Sequence, residues 1–379
     1  MTLMRGVFAL ELILCLPAVL LCAPAETDSP PPSSGCGVRA PGGQWNAASQ
    51  WIAGLGDNAF SSALTTEQMA AWNDFSKRSG SDWANLRKQY LDRIDAWRNA
   101  NLSNAPAREV AFYPFGGPDA ANLLAFFPDA RDYILVGLEP VGCIPSGIAD
   151  YTPDYFTQLR RSLSSVVASG FFKTDDMRRD VTKTELNGVL PLLLFLVSRA
   201  GYSITDVMRI GISPDGVVAP SASLPIVETF GVAIQLSDPR HGARTLRYFS
   251  LNLENSRLKR KPGTTAYLKG LPDTITLVKA ASYLMHKPYF STIRGTILTK
   301  SRVVVEEDSG IPYRYFDQTA WDVRLFGTYS EPIQLFKDWN QDDLKNAYSA
   351  ETGVQPLDFA IGYRRRGQSN LLVAVRKTK

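Results

Sequence analysis

Residues 110–143 read VAFYPFGGPDAANLLAFFPDARDYILVGLEPVGC, and this stretch decides the fold class. An apolar run from Val110 to Phe115 enters the turn Gly116-Gly117-Pro118-Asp119. A short helical pattern follows, and a second apolar run, Tyr133 to Leu138, ends at Glu139-Pro140. The order strand, turn, helix, strand is the unit from which parallel sheets are built, and ligands on such sheets sit beyond the carboxyl ends of the strands. Both the Gly116-Gly117 turn and Glu139 are expected there.

Downstream the pattern keeps alternating. Thr152 to Phe172 reads as an amphipathic helix and Met177 to Ala200 as a second, interrupted at Asn187-Gly188 and Pro191. Val207 to Ile212 is strand-like, and Thr229–Leu236 with Thr245–Leu251 form a hairpin pattern around a polar loop containing His241. Thr274–His286 and Phe290–Thr299 are read as helices, and Arg302–Glu306 as a strand delivering Glu307-Asp308-Ser309-Gly310 to a loop. A final hairpin is expected from Leu357–Tyr363 and Leu371–Arg376. The expected fold is α/β, a mixed but mainly parallel sheet flanked by helices and closed by an antiparallel C-terminal strand pair.

Upstream, residues 44–102 carry five of the seven tryptophans. Thr65-x-x-Gln68 has capping-box spacing, and Asp82 is placed to cap a further helix with Trp83, Leu86, Tyr90, Ile94 and Trp97 on one stripe. An aromatic stripe at that spacing is core, so residues 44–102 are read as a helical extension packed on an α/β domain of residues 103–379. Residues 26–43 are rich in Pro, Ser and Gly and read as a flexible linker.

The first 25 residues have the order of an export signal: Arg5, an apolar run from Leu12 to Leu21, and Ala23-Pro24-Ala25 before the cleavage point. A lipid-anchored variant through Cys22 is less favoured, because Leu21 is bulky where a lipoprotein signal carries a small residue. Of four cysteines, Cys36 and Cys143 remain after cleavage, an even pair that is a candidate disulfide in an oxidising compartment. A periplasmic or secreted protein is therefore expected. The histidines are only His241 and His286, and no spacing matches a zinc or calcium site. A net charge of +4 over 379 residues argues against nucleic acid as a partner. After Ala25, the most apolar run, Val189–Val197, is too short to cross a membrane and contains Pro191, so a buried helix is expected.

Two constellations could carry chemistry. After a strand, Gly116-Gly117 lets backbone approach a ligand, and Glu139 lies 22 residues beyond Gly117 at the end of the next strand. In these features, and in the terminal antiparallel pair, the chain resembles the Rossmann-like class I S-adenosylmethionine-dependent methyltransferases. The resemblance implies that Gly116, Gly117 and Asp119 line a cofactor pocket and that Glu139 holds a ribose. The turn lacks the full G-x-G-x-x-G spacing, and Pro118 removes a backbone donor. A structural turn is the competing reading. The second constellation is Lys279, Ser282, Tyr283 and His286, which a helix would place close together. His286 as general base, with the Asp308-Ser309-Gly310 loop supplying an orienting acid (Asp308) or a nucleophile (Ser309), would make a hydrolase. Against this stands a histidine at a helix C-terminus that only complements the dipole. A binding or structural protein, with an unknown small molecule or protein as partner and no cofactor identified, is weighed against an enzyme of either kind.

Overall fold

The computed structural model describes residues 39–56, 60–103, 109–169, 186–239 and 242–377. Residues 1–25, expected as an export signal, Cys36 and His241 lie outside the described residues, as do residues 170–185.

Three helices come first: α1 (Trp45–Ile52), α2 (Thr66–Leu86) and α3 (Asp92–Asn101). The capping box holds, with Thr65 Oγ1 accepting from Gln68 N at 3.2 Å and Gln68 Oε1 accepting from Thr65 N at 3.0 Å. Asp82 does not cap a new helix. It lies inside α2, accepts from Arg160 Nε at 2.8 Å, and the helix passes into α3 through one π-helical turn, Arg87–Leu91. No proline interrupts residues 66–101, and Trp83 and Leu86 keep the buried stripe continuous, so there is no physical reason to stop.

The sheet has ten strands: β1 (Val110–Tyr113), β2 (Asp132–Gly137), β3 (Ser203–Ile212), β4 (Val218–Pro220), β5 (Thr229–Asp238), β6 (Gly242–Ser250), β7 (Thr274–Val278), β8 (Ser301–Glu306), β9 (Trp321–Gly327) and β10 (Asn370–Arg376). Their spatial order is β4-β3-β5-β6-β2-β1-β7-β8-β10-β9. The central run β6-β2-β1-β7-β8 is parallel throughout. Both flanks are antiparallel, so five of the nine pairings are antiparallel and the expectation of a mainly parallel sheet is corrected to a parallel centre with antiparallel wings.

Two element assignments change. Residues 274–286 are not a helix: Thr274–Val278 form β7, buried along its whole length beside β1 and rich in β-branched residues. The C-terminal partner of β10 is β9, not Leu357–Tyr363. Residues 321–327, WDVRLFG, alternate apolar and polar, which is the strand period, whereas the 357–363 segment is loop carrying a left-handed Gly362.

Helices cover both faces. On one lie α1, α2, α3, α4 (Ala120–Phe126), α5 (Pro153–Ser169) and α6 (Leu190–Arg199); Trp51, Trp72, Trp83 and Trp97 share a core with Tyr113, Tyr133, Leu135, Leu277 and Val305. Trp51 and Trp72 stack at 4.3 Å, and Pro191 sits in the first turn of α6, where its missing N–H costs nothing. On the other face lie α7 (Asn255–Lys259), α8 (Pro262–Gly270), α9 (Ser291–Lys300) and α10 (Asp342–Ala350). Phe112, Ile134, Val136 and Val304 point to that side, as strand alternation requires. Among the described residues no helix is long and apolar enough to cross a membrane.

Candidate functional site at the strand ends

From β1 the chain runs outward through β2 to β6, then returns to place β7 on the other side of β1. The crevice at the carboxyl ends of β1 and β7 is therefore where a ligand is expected on such a sheet. The loops after β1, β2, β7 and β8 all bring polar residues to it.

At the end of β1, Asp119 is almost wholly buried. It caps α4 by accepting from Asn122 N at 3.3 Å, takes Asn122 Nδ2 at 2.9 Å and Tyr113 Oη at 3.2 Å, and pairs with Lys279 Nζ at 2.7 Å. Lys279 follows directly on β7, and both side chains are 2% exposed. Burial, with Asp119 adding to it, holds the Tyr113 phenol far above its usual pKa, so Tyr113 stays a donor.

The glycine turn packs down on the end of β2. Gly117 has φ +53°, and its N–H donates to Val136 O at 3.1 Å. A Cβ at Gly116 would meet the Tyr113 ring at 2.4 Å; one at Gly137 would meet Glu139 Oε2 at 2.6 Å, Gly117 Cα at 2.7 Å and the Tyr248 hydroxyl at 2.7 Å. These glycines are spent on close approach of the protein to itself. Glu139 turns inward, 2% exposed, with the Tyr248 hydroxyl 2.8 Å from its main-chain oxygen and 3.2 Å from Oε2.

The loop after β7 is strained. Ala280, Ser282 and Tyr283 have φ of +52°, +51° and +54°, each costing roughly 1–3 kcal/mol in a residue other than glycine. Neighbouring loops over-determine it. Ala280 N donates to Glu307 Oε1 at 2.8 Å, Ala281 N to Ser309 Oγ at 2.9 Å and Tyr283 N to Ser309 O at 3.2 Å. The Tyr363 hydroxyl donates to Ala280 O at 2.8 Å and lies 2.6 Å from Ser282 Oγ.

At the end of β8, three consecutive acids are buried. Glu306 Oε2 accepts from Ile311 N at 2.9 Å; Glu307 Oε2 accepts from Ser309 N at 3.1 Å, and the Ser309 hydroxyl also donates to Glu307. Burial pushes the Glu306 carboxyl well up and, with Asp308 adding to it, the Glu307 carboxyl up to about 7. The Asp308 carboxylate takes Arg364 Nε at 3.1 Å, Asn370 Nδ2 at 2.6 Å and the Tyr283 hydroxyl. His286 is held down to about 4, by burial first and then by Arg314; Asp308 pulls the other way. Its Nε2 is buried without a hydrogen-bond partner among the described residues.

The structure thus gathers Gly116, Gly117, Asp119, Glu139, His286 and Asp308 along one edge of the sheet, but in two arrangements. Asp119 and Glu139 are paired and sealed. The Asp308 charge acts on His286 from nearby, while its carboxylate is occupied by Arg364, Asn370 and Tyr283. Ser309, a possible nucleophile by sequence, has its hydroxyl bound between Glu307 and Ala281 N. Tyr283 and His286 meet through the strained loop and not through a helix face, their rings 5.0 Å apart, while Lys279 pairs with Asp119. Sequence reasoning missed Tyr113, whose hydroxyl meets Asp119 six residues on, and Tyr248, Tyr363, Arg364 and Asn370, whose roles depend on long-range contacts; only the position of Tyr113 and Asn370 at strand ends could have signalled them.

No group of three His, Cys, Asp or Glu residues among the described residues is arranged to hold a metal ion. Open grooves of about 320 and 360 Å³ run along α2 and α5 and are lined by Arg160 and Thr157, not by strand-end residues. Cys143, in the loop after β2, is engaged, and its expected partner Cys36 lies outside the described residues. No family model matches this chain, nor does any curated protein or solved structure.

Proposed function

We propose that this is an exported binding protein on a Rossmann-like scaffold, in which a cofactor crevice of the methyltransferase kind has been closed. Numbered in chain order, the parallel strands β6-β2-β1-β7-β8 run 3-2-1-4-5, the order of doubly wound nucleotide-binding sheets. The antiparallel pair β10 and β9 that follows fits the ending expected of class I methyltransferases. The observation that carries the reading is at Gly137: Gly117, Glu139 and the Tyr248 hydroxyl all lie within 2.7 Å of where a Cβ would be, which leaves the ribose position filled by protein. Export is supported by the N-terminal signal pattern, and a Cys36–Cys143 disulfide would be the matching covalent tie. Lipid anchoring through Cys22 is the less favoured form of the same location.

Calorimetric titration of the chain with S-adenosylmethionine tests this. The expected result is no saturable binding at millimolar ligand and no rise in melting temperature; a ligand at a hundred times its Kd would add about 2.7 kcal/mol and be plain to see. Micromolar binding that Glu139→Gln abolishes would restore the methyltransferase reading.

A further inference from the structure

Beside the sealed crevice, the loops after β7, β8 and β9, with α9, build a basic and aromatic surface that the sealed site does not use. Lys287 Nζ lies 5.7 Å from the Tyr289 ring and 5.5 Å from the Trp339 ring. The guanidinium carbons of Arg294 and Arg314 lie 4.2 Å and 5.2 Å from the Tyr315 ring. Arg294 is buried, donates to the Met285 carbonyl and so ties the two halves together. His286 sits between them, 5.9 Å from Trp339 and under the field of both arginines. Tyr289 and Tyr315 are 45% and 37% exposed, and Arg314 is exposed. Among the described residues none of these three cations pairs with a carboxylate, although eleven others do.

We propose that Lys287, Arg314, Tyr289, Tyr315 and Trp339 form a binding site for an acidic saccharide. The proposal rests on the reading of the chain as an exported binding protein. Exposed aromatic faces take the C–H faces of sugar rings, and unpaired cations beside them select a ring carrying a carboxylate. Cation–π contact with Tyr289, Trp339 and Tyr315 holds both cations in place before the ligand arrives, which lowers the entropy cost of binding. The small overall charge favours a short acidic ligand over a polyanion such as nucleic acid.

The test is calorimetry on the chain with tetragalacturonate, with maltotetraose as the neutral counterpart and ADP as a non-saccharide anion bearing a ring. Tetragalacturonate should bind at least about tenfold more tightly than maltotetraose, and several-fold more weakly when NaCl is raised from about 50 to 300 mM. Lys287→Gln with Arg314→Gln should weaken it at least about tenfold, as should Trp339→Ala, at unchanged melting temperature for the charge variant. Absence of binding, an affinity that the charge variant leaves intact, or tighter binding of ADP through the same residues would each overturn the proposal. S-adenosylmethionine binding lost in Glu139→Gln would refute the closed crevice alone, so the two failures are separable.

Discussion

The two ends of the same crevice have been handled in opposite ways. At β1 and β2 the Asp119 charge is buried and matched by Lys279, Glu139 is buried against the Tyr248 hydroxyl, and the positive φ values fall on Gly117 and Gly142, where glycine accepts them without cost. At β7 and β8 the backbone is strained at three non-glycine residues, three consecutive acids are buried, and aromatic and basic groups reach solvent. The first end is built for rigidity. The second stores strain where neighbouring loops converge, the pattern associated with working sites. A sheet with a parallel centre therefore offers a place for a ligand at its strand ends, and side chains decide which part of that place stays open.

The contrast is most exposed to a change at Lys279. Lys279→Met leaves the Asp119 carboxylate buried and unpaired, and urea denaturation should show a loss of about 3–5 kcal/mol. Adding Asp119→Asn, which keeps the cap on α4 without the charge, should recover much of that loss. A loss under about 1 kcal/mol would mean that this end is open to water and that the two regions do not differ as described. Next in size, Tyr248→Phe removes the donor to Glu139 and should cost about 1–3 kcal/mol in the same measurement. Retention of full stability would show that the seal at β2 does not depend on that hydroxyl.

The open end should respond to pH. His286 is held near 4 against an ordinary value of 6.5, so folding favours its neutral form. Its contribution is complete above pH 6.5 and is lost as pH falls toward 4. Glu307, raised to about 7, works in the other direction: its contribution is present below its ordinary value of 4.5 and is lost as pH rises toward 7. Chemical denaturation between pH 7 and 4 should show His286→Gln flattening the acid-side fall by on the order of 1 kcal/mol. If the fall is unchanged, His286 is solvated and the rim is less enclosed than its contacts imply. The smallest effect is expected at Ala280→Gly, which releases the strain at φ +52° and should stabilise by roughly 0.5–1 kcal/mol. Destabilisation there would place the strain elsewhere in the loop.

Local pattern and tertiary contact divided the information unevenly. The β1-turn-α4-β2 unit, the α2 capping box, the β5–β6 hairpin and the buried α6 could be read directly, because each is encoded by periodicity or turn chemistry within about thirty residues. The strand β7 was hidden, because TITLV is a short apolar run followed by KAASYLMH, which has helical spacing; only burial between β1 and β8 selects the extended form. The pairing of β10 with β9, more than forty residues away in sequence, has no local mark either.

For the site, residue types alone placed Gly116, Gly117, Asp119, Glu139 and Asp308 at strand ends or in the loops that follow them, whereas His286 was expected at the end of a helix. Sequence by itself therefore determined the α/β class and the edge of the sheet where polar groups collect, since hydrophobic period and glycine position are local properties. Only the tertiary structure decided that Lys279 closes on Asp119, that Tyr248 meets Glu139 and that Arg364 claims Asp308. Those partners are 56 to 160 residues apart in the chain. Whether a carboxylate is a ligand-binding group or a structural one depends on which partner reaches it first, and that is set by packing.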